Sequence, residues 1–236
     1  MDAAFFDAVR SSLFGGKLTQ AQVDTLDTIG AAWSRYGDGD KAKLAYILAT
    51  AFHETGRFKW LREIWGPTAA QKAYEGRADL GNTVKGDGKR FMGRGLVHIT
   101  GRRNYADWSK RLGVDLLANP DFAEQLDYAA RILVEGVMLG TFTGQKLGDY
   151  IKPGSVNFVS ARRTVNGTDK ADLIAGYANK FLAALGSGVS VPVAPKPQTI
   201  PVQPLPAPAN GRGLPWGVII AIIVLAAIGA AFFVRF

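Results

Sequence analysis

The residues best suited to chemistry in this 236-residue chain are carboxylates, because other catalytic groups are scarce. Cysteine is absent, which excludes a thiol nucleophile, a disulfide scaffold and a thiolate zinc site. The two histidines, His53 and His98, are too few for a three-histidine metal site and form no HExxH motif. No GxSxG elbow or phosphate-binding loop is present. We therefore expect neither a metal nor a cofactor.

Glu54 is the first candidate. It lies seven residues after Ile47 and three after Ala51, so it extends the apolar face of a helix that Gly56 ends. Burial and the negative end of the helix dipole both favour a protonated carboxyl group there. A general acid needs this property. The alternative is a glutamate that pairs with an arginine and only tethers the helix.

Glu75 is the second candidate. It lies in an irregular, glycine-rich and charged stretch from Trp65 to Thr100, where we expect it to stay ionised. Two carboxylates in opposed environments are typical of glycosidic-bond hydrolysis. Asp79, Asp87 and Glu63 are alternatives for the second carboxylate.

Polar side chains near residue 100 indicate sugar binding. Glycines flank Arg94 and allow close backbone approach. The alternation of His98 and Thr100 with apolar residues predicts that both point to one face of a short strand. With Asn104, they suit sugar hydroxyls and N-acetyl groups. A nucleic-acid patch is the alternative, but acidic residues are interleaved elsewhere, so we expect no nucleic-acid partner.

The apolar spacing predicts a mainly helical domain over residues 1–188. The predicted helices begin at a Thr19/Gln22 capping box, span Leu44–Phe52, span Tyr105–Leu112 before Gly113, run from Pro120 through Val137, and begin near Thr168 or Asp169.

The last 48 residues differ sharply from the domain. Residues 189–215 hold eight of the 11 prolines, which predicts an extended linker. Residues 216–234 carry no charge and are long enough to span a bilayer, which predicts a C-terminal transmembrane helix. We therefore expect a single-pass protein of a host cell or virion membrane, with the lipid bilayer as a partner.

Four blocks of sequence resemble the glycoside hydrolases of family 19, and within it the phage and bacterial endolysin branch. They are HET at 53–55, Glu75, GRGLVHITGRRNY at 93–105 and NFVSARRTVNG at 157–167. The resemblance runs from Leu18 to Leu185. It implies a mainly α, bilobal, lysozyme-like domain with a short β element. It also implies an inverting mechanism, with Glu54 as general acid and Glu75 as general base.

The resemblance further implies roles for residues around the acid and the base. Thr100 would position the attacking water, and the amides of Asn104 and Asn166 would bind substrate. The Arg162–Arg163 pair would supply a cation near the acid. His98 stands where the family usually has glutamine. The implied substrate-contacting set is Arg94, His98, Thr100, Asn104, Tyr105, Arg163 and Asn166.

The predicted activity is that of a muramidase that cleaves β-1,4 bonds in peptidoglycan glycan strands. The endolysin-like blocks, the positive domain and the predicted anchor favour peptidoglycan over chitin. A chitinase of the same fold, a catalytically inactive wall-binding protein and a lytic transglycosylase are the alternatives. The last of these needs only one carboxylate.

Overall fold

The computed structural model of the protein describes residues 1–186. Within this range nine α-helices and one two-stranded antiparallel sheet follow in the order α1 (Ala3–Ser12), α2 (Gln20–Tyr36), α3 (Lys41–Glu54), α4 (Ala69–Lys72), α5 (Asp87–Arg90), α6 (Arg102–Leu112), α7 (Leu126–Leu139), β1 (Ile151–Lys152), β2 (Ser155–Val156), α8 (Phe158–Ala161) and α9 (Ala171–Gly186). Short 3-10 helices occupy Ala78–Leu80, Pro120–Glu124, Leu147–Asp149 and Arg162–Thr164. The domain is mainly α with a short β element, as expected, but the sheet lies at residues 151–156, where the sequence predicted no strand.

Helix α3 is the central element of the core. The Asp40 side chain caps it by accepting hydrogen bonds from the backbone N–H groups of Ala42 and Lys43. Twelve of its 14 residues are buried, and it packs against α2, α7 and α9. A helix with apolar residues on all sides requires such a position. Its last residue, Glu54, is therefore carried into the interior.

Helix α2 confirms the predicted capping box. The Thr19 side chain accepts from the backbone N–H of Gln22, and the Gln22 side chain accepts from the backbone N–H of Thr19. Helix α6 ends before Gly113, which adopts a left-handed conformation with φ of 73°. Both ends follow from local sequence signals alone.

The predicted single helix from Pro120 through Val137 is wrong. Pro120 opens a 3-10 helix that ends at Glu124, and α7 begins only at Leu126. Between them, Gln125 has an extended backbone with ψ of 128°. This break turns the chain before α7 packs against α2.

The predicted transmembrane helix is corrected by the structure. No helix between residues 1 and 186 combines the length and the apolar character needed to cross a bilayer. The segment to which that helix was assigned, residues 216–234, lies outside the described residues, as does the predicted linker at 189–215. The fold class is therefore a mainly α domain with a short β element. A single-pass membrane location and a bilayer partner are not supported.

Candidate active site

Glu54 forms a buried ion pair with Arg162. Arg162 Nη1 lies 2.6 Å from Glu54 Oε1, and both side chains are 2% exposed. Arg162 Nε also donates to the carbonyl of Asp169, which fixes the plane of the guanidinium. The sequence assigned a cation near the acid to the Arg162–Arg163 pair, with Arg163 in the substrate-contacting set. In the structure Arg162 contacts Glu54 and Arg163 is exposed.

His53 stands beside this pair on the last turn of α3. Burial is the main cause that lowers the pKa of the imidazole below its ordinary value. The Glu54 carboxylate opposes this effect, and the Arg162 guanidinium reinforces it. The lowered pKa favours the neutral imidazole near pH 7. His53 therefore adds no second positive charge beside the Glu54–Arg162 pair.

The chain reverses after α3 and brings a second glutamate, Glu63, into the interior. Arg57 and Phe58 adopt positive φ values of 66° and 63° in this turn. The backbone then pairs with residues 93–95: Glu63 N–H donates to the Gly93 carbonyl at 2.9 Å, and Gly95 N–H donates to the Leu61 carbonyl at 2.7 Å. Tertiary pairing, rather than a helix or strand of its own, places Glu63.

The Glu63 carboxylate is 3% exposed and held from two sides. Its Oε2 accepts from the backbone N–H of Gly93 at 3.0 Å, and its Oε1 accepts from Gln71 Nε2 at 2.8 Å. Gln71 belongs to α4, whose Thr68 cap fixes its position. Tyr74 borders the same carboxylate: burial first, and then the Glu63 charge, raise the pKa of the tyrosine hydroxyl. Glu63 is thus a preorganised buried carboxylate.

Glu63 and Thr100 converge at Gly93. A methyl group placed on Gly93 would lie 3.3 Å from Glu63 Oε2 and 3.3 Å from Thr100 Oγ1. Both oxygens therefore border the space that the absent side chain of Gly93 leaves. Thr100 is buried, and its hydroxyl donates to the His98 carbonyl at 3.0 Å. A carboxylate and a hydroxyl that border the same glycine are groups of the kind that can hold and deprotonate a water molecule.

The predicted strand around His98 is absent from the described chain. His98 has a positive φ of 49°, and this stretch makes only isolated backbone bridges, Arg62 with Arg94 and Arg94 with Ile99. The His98 ring is buried, and its Nε2 lies 3.0 Å from the Trp60 carbonyl. A histidine in the left-handed region is uncommon and costs about 1 kcal/mol or more. Here the contact with Trp60 holds it.

Arg94 and Tyr105 brace the segment that carries Thr100. Arg94 Nη1 donates to the Tyr105 hydroxyl at 3.1 Å, and that hydroxyl donates to the Met92 carbonyl at 2.7 Å. Arg94 Nε lies 2.9 Å from Glu124 Oε1 and 3.1 Å from Asp121 Oδ1. Arg94 and Tyr105 are themselves buried. The polar groups of these two predicted substrate-contacting residues are therefore engaged within the protein.

The two predicted substrate amides differ in exposure. Asn104 is half-buried on the first turn of α6, and its Nδ2 donates to the Thr100 carbonyl at 2.7 Å. This bond fixes the backbone at Thr100. Asn166 is buried just after the 3-10 helix that carries Arg162. Both amides thus flank the segments that hold Thr100 and Arg162.

Glu75 is exposed and bound to a loop. Its Oε1 accepts from the backbone N–H of Gly86 at 2.6 Å, and its Oε2 accepts from that of Gly88 at 2.9 Å. The other two sequence alternatives are paired with arginines: Asp79 with Arg77, and Asp87 with Arg102. Of the four candidates for the second carboxylate, Glu63 borders Thr100. The sequence feature that favours Glu63 is its position nine residues after Glu54, because a turn at Gly56 can bring the two carboxylates to one region.

Solved structures of known proteins identify the fold of this chain. No family model matches the chain. A bacterial family 19 chitinase of known structure superposes with a TM-score of 0.52, at 22% identity over 81% of this chain and 98% of that one. A class IV family 19 chitinase from Zea mays superposes with a TM-score of 0.53, at 18% identity over 82% of this chain and 96% of that one. The fold is that of family 19 chitinases.

Relatives identified by sequence identity indicate the same family. An endochitinase of Avena sativa is 30% identical over 171 residues, which cover 69% of this chain and 74% of that protein. A glycosyl hydrolase family 19 domain-containing protein of Haemophilus influenzae is 32% identical over 133 residues, 45% of this chain and 66% of that protein. The chain thus spans just under two thirds of the Haemophilus relative. It belongs to glycoside hydrolase family 19.

Proposed function

We propose that the protein hydrolyses β-1,4 bonds in an N-acetylhexosamine polymer, with Glu54 as general acid and Glu63 as general base. One observation carries this proposal: two buried glutamates flank one turn of chain, and the second shares the space at Gly93 with the Thr100 hydroxyl. Two carboxylates with different partners are what glycosidic-bond hydrolysis requires. Family membership supports the same reaction class.

In the proposed mechanism, the Glu54 carboxylate of the Arg162 pair first takes up a proton from solvent. Glu54 then donates this proton to the glycosidic oxygen as the bond to the leaving sugar breaks. Glu63 removes a proton from a water molecule held by Thr100, and that water attacks the anomeric carbon from the opposite face. The configuration at that carbon is inverted. The Arg162 cation then stabilises the carboxylate that Glu54 becomes after proton transfer.

The sequence assigned the base role to Glu75, and the geometry favours Glu63 in its place. Glu75 is exposed, and both of its oxygens accept hydrogen bonds from backbone N–H groups of the loop at residues 86–88. Glu63 is buried beside the hydroxyl that positions the water in this proposal. Glu75 then serves to hold that loop.

Peptidoglycan is the proposed substrate, and the activity is that of an endolysin-type muramidase. Residues 1–188 hold 25 of the 28 basic residues and all 20 acidic ones, so the domain is positive and suits an anionic cell wall. The endolysin-like blocks around Glu54 and Thr100 favour the same substrate. Chitin is the second candidate, because the Avena sativa relative is named an endochitinase and the two superposed structures are chitinases.

Product analysis tests the substrate and the reaction together. The full chain is incubated with purified sacculi and, in parallel, with chitin oligomers, and new sugar ends are identified by mass spectrometry after borohydride reduction. New reducing N-acetylmuramic acid ends support a muramidase. Anhydro ends would indicate a lytic transglycosylase, and products from chitin alone would indicate a chitinase. The absence of products from both polymers would contradict the proposed hydrolysis.

A further inference from the structure

A cationic cavity lies outside the Glu54–Glu63 site. It has a volume of about 520 Å³, is open to solvent, and is lined by residues 84–87 with Arg90, Arg102 and Leu117. It is therefore large enough for a sugar substituent or a short peptide segment. No step of the proposed hydrolysis uses it.

The cavity carries an excess of positive charge. Three cations line it, Lys85, Arg90 and Arg102, against one carboxylate, Asp87. Asp87 is buried and bound by Arg102, whose Nε lies 2.7 Å and Nη2 2.5 Å from the two carboxylate oxygens. This bidentate pair neutralises Arg102.

Lys85 and Arg90 differ from Arg102, because no carboxylate is bound to them within the described residues. Among the described residues, Arg90 donates to two neutral acceptors, the carbonyls of Leu117 and Ala118, at 2.7 Å and 3.1 Å. Within residues 1–186 no carboxylate forms an ion pair with either side chain. A cavity with two unneutralised cations favours an anionic ligand.

The wall of the cavity is held in place by Glu75. Its two carboxylate oxygens bind the backbone N–H groups of Gly86 and Gly88, on either side of Asp87. Gly86 needs its φ of 92° for this turn, and a methyl group on Gly88 would lie 2.8 Å from Glu75 Oε2. Asp87 closes the turn by accepting from the Val84 N–H at 3.0 Å. The loop is thus preorganised for binding.

The same chain segments also carry the proposed active site. Arg102 follows Thr100 by two residues, and the backbone N–H of Gly101 donates to the Phe91 carbonyl next to Arg90. The cavity and Thr100 are therefore carried by chain segments that are bonded to each other.

We propose that this cavity binds a carboxylate carried by a substituent of the glycan, supplied by the peptide stem of peptidoglycan or, where no stem is attached, by the lactyl group. Chitin has no such group, so the cavity would be a specificity-determining site for an acidic glycan. This inference rests on the proposed function, because it names the substrate feature that the enzyme recognises.

Binding of three soluble sugars tests the inference without turnover. The full chain carrying Glu54→Gln is titrated, with NMR detection, against GlcNAc–MurNAc–tetrapeptide, peptide-free GlcNAc–MurNAc and N,N′-diacetylchitobiose. Lys85→Glu is compared with Lys89→Glu, because Lys89 is an exposed cation of the same segment that does not line the cavity. Thermal unfolding verifies that both variants are folded.

We expect Lys85→Glu to weaken the binding of the acidic ligands by about three- to tenfold, relative to Lys89→Glu, and to leave chitobiose binding unchanged. Loss with the peptide-free sugar alone assigns the carboxylate to the lactyl group, and loss with the tetrapeptide form alone assigns it to the stem. Loss with both shows that the cavity accepts either carboxylate. Equal effects of the two variants on every ligand would overturn the inference. Failure of the proposed function is a separate result, since it appears as absent cleavage by the unsubstituted chain.

Discussion

Arg162 Nη1 lies 2.6 Å from Glu54 Oε1, and this contact joins residues 108 positions apart in the sequence. It ties the end of α3 to the 3-10 helix at Arg162–Thr164. Two ions this deeply buried are compensated only by each other and by further hydrogen bonds, here from Arg162 to the Asp169 carbonyl. The pair therefore has a structural role as well as its proposed catalytic one.

Removal of the cation tests the structural role. Arg162→Met should lower the free energy of unfolding by about 3–5 kcal/mol, because it leaves an uncompensated carboxylate in the interior. Urea denaturation measures the change. Arg163→Met is the matched control, since this neighbour is exposed and should change stability by less than about 0.5 kcal/mol. Equal losses in both variants would contradict the assignment of the pair to Arg162.

The Asp87–Arg102 pair should make stability depend on acid pH. Hydrogen bonds from Arg102 hold the pKa of Asp87 below its ordinary value. The stabilisation is therefore complete above about pH 4 and is lost as the pH falls through the lowered value. Asp87→Asn should be less stable than the unsubstituted protein at pH 7, with the difference narrowing below about pH 4.

Asp79→Asn is the control for that experiment. The pKa of Asp79 is also lowered, mainly by hydrogen bonding to Arg77, but this pair is largely exposed. Solvent screening should make its effect on unfolding the smaller one. Urea denaturation at several pH values compares the two variants, and a larger effect for Asp79→Asn would contradict the role given to the buried pair.

Gly101 should tolerate no side chain. Its φ is 90°, and a methyl group there would lie 2.7 Å from the Leu80 carbonyl oxygen. Gly113, with φ of 73°, has no atom within 4 Å of that position. Gly113→Ala should therefore cost only the left-handed conformation, about 1–2 kcal/mol, and Gly101→Ala should cost more. Thermal and urea unfolding distinguish the two, and equal costs would show that the Leu80 contact relaxes freely.

Local signals explain which helices the sequence predicts correctly. Thr19 and Gln22 cap each other within one turn, and Gly113 ends α6 with its own backbone conformation. The buried position of Glu54 follows from the apolar face of α3. In each case the residues that determine the structure are neighbours in the chain.

Long-range contacts explain the rest. Glu63 reaches its place through backbone pairing with residues 93–95, which no local pattern near it indicates. His98 departs from the predicted strand because its ring contacts the Trp60 carbonyl while its backbone turns left-handed. The break at Gln125 allows α7 to pack against α2, and the proline at position 120 does not by itself predict that break.

The role of Glu63 as general base is tested most directly by removing each candidate base and supplying azide as a substitute nucleophile. Initial rates of release of soluble glycan fragments from sacculi are measured for Glu63→Ala and Glu75→Ala, with and without sodium azide, after both variants are shown to be folded. Glu63→Ala should lose about 10²–10⁴-fold in rate. Azide, which needs no deprotonation, should restore part of that rate and yield a glycosyl azide of inverted configuration. Glu75→Ala should retain most of its activity. Loss and azide rescue in Glu75→Ala, with activity retained in folded Glu63→Ala, would contradict the assignment of the general base to Glu63.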